Sequence, residues 1–138
     1  GNLQNTHSKR FSLINVYAAE LEAEIVDSPL VISHRIQLTI TGPTTGYMEI
    51  FIIFQNGSKL SAIEFLRVSD QTVNREKYRY QLMDSKDKEI FRYDNAPHHK
   101  SIDSFPHHKH VDKKVYDSVS PSLLKVLKEI EIEILGVL

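Results

Sequence analysis

The chain has 138 residues, of which 41% are hydrophobic and 25% are charged, as expected for one globular domain over residues 1–138. It has no cysteine, which excludes disulfides, thiolate zinc sites and cysteine nucleophiles and fits a reducing cytoplasm. No apolar run approaches the roughly 20 residues that a membrane helix needs, so we expect no membrane partner. The net charge of −1 excludes the strongly basic composition of a dedicated nucleic-acid binder.

The charges are unevenly distributed along the chain. Residues 75–114 contain ten Lys/Arg and seven Asp/Glu, whereas the rest contains seven Lys/Arg and eleven Asp/Glu. Five of the seven histidines also lie in this basic stretch and would add positive charge below about pH 6.5. A mildly basic region can bind phosphates, so the composition permits an RNA partner without requiring one.

Hydrophobic periodicity predicts a helix followed by five strands. The apolar residues of 11–26 recur at three-to-four spacing, which indicates an amphipathic helix. The period then changes to two, which indicates strands that are half-buried. The predicted strands are residues 30–40, 47–54, 60–68, 73–83 and 89–93.

Turn signals between these strands favour an antiparallel meander. Asn56-Gly57 predicts a tight hairpin, because both residues tolerate positive φ. Two polar residues lie among the apolar residues of the predicted strands. The first, His34, is in phase with an apolar face and is predicted to be a core histidine. Glu64 lies among apolar residues, where it could orient a histidine, pair with Arg79 or face solvent.

The C-terminal part contains a long segment without periodicity and then a helix. Residues 94–116 follow neither period and contain two prolines, which predicts a long loop. Ser120 is the predicted N-cap of the last helix, Pro121 its first residue and Gly136 its C-cap. We therefore expect an α+β fold, in which a five-stranded antiparallel meander is flanked by N- and C-terminal helices and carries a long histidine-rich loop.

This histidine-rich loop is the strongest candidate site. Each half presents a proline followed by paired histidines, in Pro97-His98-His99 and in Pro106-His107-His108-Lys109-His110. Proline fixes φ, so the imidazoles are held on a stiffened backbone. Because titratable groups concentrate at functional positions, five histidines within 98–110 indicate a site.

Imidazole is well suited to proton transfer near neutral pH, which favours metal-independent cleavage of RNA. In this hypothesis the general base is His108 or His99, the general acid is His110, and Asp94 orients one imidazole. Positive charge would stabilise the phosphate in the transition state. The cations predicted to bind phosphate are Arg79, Arg92 and Lys109.

Two other interpretations remain open. Neutral imidazoles also bind divalent transition metals, and the alternative ligands are His98, His107, His108 and His110, although their spacing matches no common zinc pattern. His108 and His110 would face the same way if that piece were extended. Alternatively, the histidines could hold the loop against the sheet in a non-catalytic module that binds another protein.

Three short motifs carry a resemblance to a known family. They are Tyr78-Arg79-Tyr80, then Phe91-Arg92-Tyr93-Asp94-Asn95-Ala96-Pro97-His98-His99, and finally Phe105-Pro106-His107-His108-Lys109-His110. This pattern resembles the TumE family of prokaryotic toxin components, over about residues 78–110.

The resemblance implies a small cytoplasmic toxin of a type II toxin–antitoxin pair. It also implies a helix-turn-helix antitoxin that neutralises the toxin by direct binding. Many such toxins act on RNA, which agrees with the acid/base hypothesis. A homodimer is a further expectation, and no cofactor is expected unless the histidines bind a metal.

Overall fold

Seven strands and two helices make up the part of the chain that the computed structural model describes. It describes residues 2–97 and 105–136, with side chains from residue 13 onward in the first helix. Within these residues, neither helix combines the length and the apolar character needed to cross a membrane. In chain order the elements are α1 (Asn2–Asp27), β1 (Val31–Ile40), β2 (Thr45–Phe54), β3 (Lys59–Ser69), β4 (Thr72–Met83), β5 (Glu89–Asp94), β6 (His108–Val111), β7 (Lys114–Asp117) and α2 (Leu123–Leu135).

All seven strands belong to one sheet, in the order β1-β2-β3-β4-β5-β6-β7. Each strand pairs antiparallel with its neighbour in the chain. The α+β class is confirmed, but the prediction of five strands is wrong. The two additional strands, β6 and β7, come from the segment 94–116 that was expected to be a loop.

The turn between β6 and β7 explains why these two strands were not predicted from the sequence. Asp112 and Lys113 both have positive φ, at 50° and 64°, as a two-residue hairpin turn of the primed type requires. Glycine usually fills such positions, and Asp-Lys is not a recognised turn signal. The strands themselves have four residues each, which is too short to establish a period.

Both helices pack against the same face of the sheet, which forms the core. Strand side chains alternate between the two faces, so cross-strand neighbours such as Ile50, Ala62, Tyr80 and Tyr93 share this face. These strand residues form one buried cluster with residues from both helices. The helical members are Ile14, Leu21, Ile25, Leu123, Val126, Leu127 and Ile130.

The opposite face of the sheet, which we call the open face, is mostly polar and includes a few apolar side chains. Its cross-strand rows follow from the pairing register. The members used below are Tyr47, Phe51, Ile63, Phe65, Lys77, Arg79, Arg92, Asp94, His108 and His110. Apart from Asp94 and His108, these side chains are exposed or half-buried.

Two helices occur where the sequence predicts them, but α1 begins at Asn2, nine residues before its predicted start, and the N-cap of α2 differs from the prediction. Helix α2 ends at Gly136, whose φ of 63° provides the predicted left-handed cap. Its N-cap is Ser122 rather than Ser120, and the Ser122 side chain accepts a hydrogen bond from the Lys125 amide at 3.1 Å. Ser120 instead accepts a hydrogen bond from Arg75 Nη2 at 2.5 Å.

The prediction that His34 is a core histidine is wrong. Its cross-strand neighbour is the buried Ile52, so the residue does have the phase of the core face. However, β1 is the edge strand, and the His34 side chain is 28% exposed and lies 3.6 Å from the Glu22 carboxylate of α1. Periodicity gives the face of a side chain but not whether the helix layer extends far enough to cover it.

Candidate functional site

The Asp94 carboxylate, at the end of β5, is the centre of a polar cluster on the open face. Its side chain is 9% exposed. One oxygen lies 2.5 Å from His108 Nε2 and accepts a hydrogen bond from the Ala96 amide at 3.0 Å. The other oxygen accepts a hydrogen bond from Arg92 Nε at 3.1 Å and lies 3.4 Å from His110 Nε2. Asp94 therefore contacts both imidazoles and one guanidinium.

The antiparallel register of β5 and β6 brings these residues together. Asp94 is the cross-strand partner of His108, and Arg92 is the partner of His110. Directly opposite residues point to the same face, so both pairs lie side by side. The expectation that His108 and His110 face the same way is thus confirmed: their rings lie 4.8 Å apart between centroids.

Both ring nitrogens of His108 have hydrogen-bonding partners. Its Nδ1 lies 2.9 Å from the Pro106 carbonyl oxygen, which can only accept, so Nδ1 carries a hydrogen. Its Nε2 faces a carboxylate oxygen at hydrogen-bonding distance. A contact of this length needs one proton between the two atoms. With an exposure of 1%, His108 is fully buried and held by both ring nitrogens.

His110 is the more accessible imidazole, with a side chain that is 15% exposed. Its Nε2 lies 3.2 Å from Arg92 Nη2, which can only donate, and 3.4 Å from Asp94. Unprotonated, Nε2 accepts from Arg92; protonated, it donates to Asp94. The His110 Nε2 therefore has both a donor, Arg92, and an acceptor, Asp94, within reach.

A cavity of about 840 Å³ opens beside this cluster on the open face. Arg79 is the cross-strand partner of Asp94 on the other side from His108. Arg79, Arg92 and Asp94 all line the cavity, so it combines two guanidinium groups with the central carboxylate. The remaining lining residues are Ile63, Phe65, Glu76, Lys77, Tyr78, Asn95, Ala96, Pro97, Phe105 and Pro106.

Lys109 lies on the other face of the sheet, away from Arg79 and Arg92. It is paired with Glu129 of α2, and its ammonium lies 4.8 Å from the centre of the Tyr93 ring. Although burial opposes it, the hydrogen bond to Glu129 raises the pKa of Lys109. The structure therefore places Lys109 in a contact between the sheet and α2 rather than with the two arginines.

His107 also lies on the helix side. Its ring stacks on Tyr78 with 5.8 Å between centroids, and its Nδ1 lies 2.8 Å from the Tyr78 hydroxyl. Burial, together with the charges of Arg75 and His108, lowers the pKa of His107. Of the alternative metal ligands, His108 and His110 are thus adjacent, while His107 is on the opposite face.

His98 and His99 lie outside the described residues. Among the described residues, the potential metal ligands that come together are Asp94, His108 and His110, whose ligand atoms all lie within 4.8 Å of one another. Asp94 is therefore the carboxylate in this group, and His107 is not part of it.

Sequence reasoning missed the apolar and cationic wall of the cavity, at Ile63, Phe65 and Lys77. The alternation of faces could have identified them. Lys77 is two residues from Arg79 on β4, and Ile63 and Phe65 lie on β3, which pairs with β4. For Glu64, none of the three alternatives occurs. Its buried carboxylate accepts hydrogen bonds from the Tyr80 hydroxyl, at 2.6 Å, and from the Tyr17 hydroxyl.

Comparison with known proteins identifies the family. The family described as Toxin TumE matches residues 21–134, which include all seven strands, the C-terminal end of α1 and nearly all of α2. No curated protein and no solved structure matches the chain. A toxin family implies an antitoxin partner. The match covers most of the chain, and the chain belongs to the TumE toxin family.

Proposed function

We propose that the chain is an RNA-cleaving toxin whose acid/base chemistry is centred on Asp94, His108 and His110. One observation carries this proposal. The hydrogen-bonded cluster of these residues with Arg92 lies beside a cavity that is also lined by Arg79. Titratable groups with shared protons and adjacent cations are the combination that phosphodiester cleavage needs.

The reaction begins with attack of a ribose 2′-hydroxyl on the adjacent phosphorus. The hydroxyl proton passes to a general base, the bond between phosphorus and the 5′-oxygen breaks, and a general acid protonates that oxygen. The products are a 2′,3′-cyclic phosphate and a 5′-hydroxyl, so no metal or water is consumed. We assign the general acid to His110, because its Nε2 can carry a proton beside Arg92 and Asp94.

The general base is His108 or His99. Both ring nitrogens of His108 are bonded within the protein, which favours His99 as the base and a positioning role for His108. Asp94 holds both imidazoles of β6 in place. Arg79 and Arg92 bind the scissile phosphate, whereas Lys109 acts in the contact with Glu129.

A growth assay with a matched histidine control tests this proposal. Wild-type protein induced in a bacterial host should arrest growth and His110→Ala should not, when the two are expressed equally. With purified protein and RNA, His110→Ala should lower the cleavage rate by roughly 10²–10⁴-fold, the usual contribution of a general acid. His34→Ala, at an exposed histidine of β1, should behave like the wild type.

Arrest by both the wild type and His110→Ala would remove His110 from the mechanism. Absence of arrest by the wild type would contradict the toxin assignment in that host. Chromatography of the RNA ends adds a chemical criterion, because the mechanism requires cyclic phosphate and 5′-hydroxyl products.

A second candidate is a divalent metal site formed by Asp94, His108 and His110. Two imidazoles and one carboxylate suit iron, zinc and related ions. The hydrogen bond from His108 Nδ1 to the Pro106 carbonyl leaves Nε2 as the ligand atom and orients the ring, as hydrogen bonds to metal-binding histidines commonly do. However, ligands around a metal at about 2.1 Å lie roughly 3.3 Å apart. The 2.5 Å contact between Asp94 and His108 would therefore have to widen. Binding of Zn²⁺ or Mn²⁺ by calorimetry, abolished in Asp94→Ala, would favour this candidate.

We further propose that the antitoxin is a helix-turn-helix protein of a type II pair and that the toxin acts in the prokaryotic cytoplasm. Direct binding is testable by co-purification, and a homodimer by light scattering of the isolated chain. If the growth and cleavage assays both fail while a protein partner binds, the chain is a non-catalytic interaction module.

A further inference from the structure

The open face carries an aromatic patch beside the cavity. Tyr47 and Phe65 are cross-strand partners whose ring centroids lie 5.7 Å apart. Phe65 is 40% exposed, which is unusual for a phenylalanine on a strand. Ile63 lies on the same strand two residues earlier, and both Ile63 and Phe65 line the cavity. An aromatic ring with its face in solvent is a surface on which a planar group can stack.

Two cations border this patch. Lys77 is the cross-strand partner of Phe65, and Arg79 is the partner of Ile63. In the described part of the chain, the structure gives neither side chain a hydrogen bond or an ion pair. By contrast, Arg67 of β3 is paired with Glu76 at 2.6 Å. Glu76 also lines the cavity, but its carboxylate is paired with Arg67 rather than with Lys77 or Arg79.

The patch leads to the catalytic cluster. The cavity wall runs from Phe65 and Ile63 on β3, past Arg79 on β4, to Arg92 and Asp94 on β5. Two strand spacings of about 4.8 Å separate β3 from β5, so the path is roughly 10 Å wide. His110 lies on β6, three strand spacings from Phe65 and two cross-strand rows further along the strands, a span of roughly 20 Å, so a single strand of several nucleotides is needed to reach from the patch past Arg79 to the cluster.

We propose that this face binds single-stranded RNA, with a base stacked on Phe65 and the backbone phosphates against Lys77 and Arg79. Stacked bases on aromatic strand residues, with cations tracking the backbone, are how sheets bind single strands. A duplex cannot use the patch, because its bases are already stacked. This inference rests on the proposed function, and it names the substrate class of that site.

Binding to an oligonucleotide that cannot be cleaved tests the inference separately from catalysis. The probe is a fluorescein-labelled oligomer of ten 2′-deoxynucleotides, which lacks the attacking hydroxyl. Fluorescence anisotropy should give at least a fivefold weaker affinity for Phe65→Ala than for the wild type, as expected when one stacking ring is lost. Phe65→Tyr should retain the affinity and also reports whether the position tolerates substitution. Tyr116→Ala, which removes an aromatic ring that is 49% exposed on the helix side of the sheet, should leave the affinity unchanged.

The cations give an independent measurement. Lys77→Ala and Arg79→Ala should each reduce the steepness with which affinity falls as salt rises, because each phosphate contact releases about one counterion. A hairpin duplex of the same length should bind more weakly than the single strand. Equal affinity of Phe65→Ala and wild type, or preference for the duplex, would overturn the inference.

Failure of the two proposals can be told apart. If His110→Ala abolishes growth arrest while Phe65→Ala binds the oligomer like the wild type, the docking surface is refuted and the RNA-cleaving function remains. If Phe65 is needed for binding but His110 is not needed for arrest or cleavage, the docking surface stands and the catalytic assignment fails. Loss of antitoxin binding in Phe65→Ala, with oligomer affinity unchanged, would assign the patch to a protein partner and overturn the inference.

Discussion

Two buried carboxylates lie on opposite faces of the same sheet, and their partners differ in kind. Glu64, on the helix side, is 1% exposed, and Asp94, on the open face, is 7% exposed. Burying a carboxylate is costly unless hydrogen bonds compensate the lost hydration. Both carboxylates meet that requirement. The comparison between them therefore depends on which groups donate the hydrogen bonds.

Glu64 is bound by donors that do not titrate near neutral pH. Burial, and then the charge of Glu64 itself, raise the pKa of both Tyr17 and Tyr80, so their hydroxyls stay protonated. Arg75 completes this network: its Nη1 donates hydrogen bonds to the Tyr80 hydroxyl and the Pro121 carbonyl, both at 2.5 Å. The network ties α1, the sheet and the start of α2 together with permanent donors.

Asp94 is bound by two imidazoles and a guanidinium instead. Imidazoles exchange protons near neutral pH, so the hydrogen bonds of this cluster change with protonation. A buried carboxylate with fixed donors stabilises a fold, whereas one with exchangeable donors can take part in chemistry. Donor type separates the structural carboxylate from the candidate catalytic one. The first of three predictions tests the structural role of Glu64, and the other two test titratable groups near Glu64 and beside His108 in the chain.

The largest expected effect is on stability at Glu64. Glu64→Ala leaves the buried Tyr80 hydroxyl and the half-buried Tyr17 hydroxyl without their acceptor, and should lower the free energy of unfolding by about 3 kcal/mol. Urea denaturation followed by circular dichroism measures this. Glu49→Ala, at an exposed glutamate of β2, should change stability by less than about 0.5 kcal/mol. A loss at Glu64 no larger than that at Glu49 would contradict the structural role.

A smaller effect is expected at His107, which precedes His108 in the chain but lies on the helix side of the sheet against Tyr78. Because its pKa is lowered in the folded protein, the unfolded chain binds the proton more readily. The associated stability is present above the ordinary histidine pKa of about 6.5 and is lost as pH falls through the folded-state pKa. His107→Phe retains a ring against Tyr78 but does not titrate. Between pH 7.5 and pH 5, the wild type should lose more stability in urea titrations than this variant, and parallel losses would contradict the assignment.

The smallest effect is expected at Glu24, near Glu64. Burial, followed by the charges of Glu64 and Glu20, raises the pKa of Glu24. The stabilising contribution of protonated Glu24 is therefore complete below the ordinary carboxyl pKa and is lost as pH rises through the folded-state pKa. Glu24→Gln should stabilise the protein at pH 7 by about 0.2–0.5 kcal/mol, since Glu20 and Glu24 are a like-charge pair at i,i+4.

This gain should disappear at pH 4, where the glutamate is itself protonated. Glu133→Gln, an exposed position on α2, serves as the control and should show no such dependence on pH. Equal gains at pH 4 and pH 7 would refute the electrostatic explanation.

The sequence was sufficient to predict the elements whose hydrophobic pattern continues over many residues. Strands β1 to β5, helix α2 and the part of α1 from residue 11 onward lie where periodicity predicted them, and Gly136 caps α2 as expected. The short strands β6 and β7 were beyond this signal, because four residues carry too little alternation. The central place of Asp94 beside His108 and His110 depends on the register of β5 and β6, which sequence does not supply.

The error over β6 also explains the different outcome for Lys109. A loop has no alternation of faces, so Lys109 was grouped with the arginines on charge alone. In an extended strand, adjacent residues point to opposite faces, and Lys109 therefore faces Glu129 while His108 and His110 face Asp94. Similarly, the contact of Tyr17 with Glu64 spans 47 positions and depends on how α1 lies across the sheet.

The meander order has a consequence for the nascent chain. Every strand pairs with its neighbour in sequence, so the sheet can grow strand by strand as the chain leaves the ribosome. Strands β1 to β5, which include Glu64 and Asp94, are synthesised before His108 and His110 exist. Helix α2, which contacts Lys109 of β6 through Glu129, follows β6 and β7 in the chain. The cluster around Asp94 is therefore completed only after β6 has been synthesised, later than the five strands that carry its carboxylate.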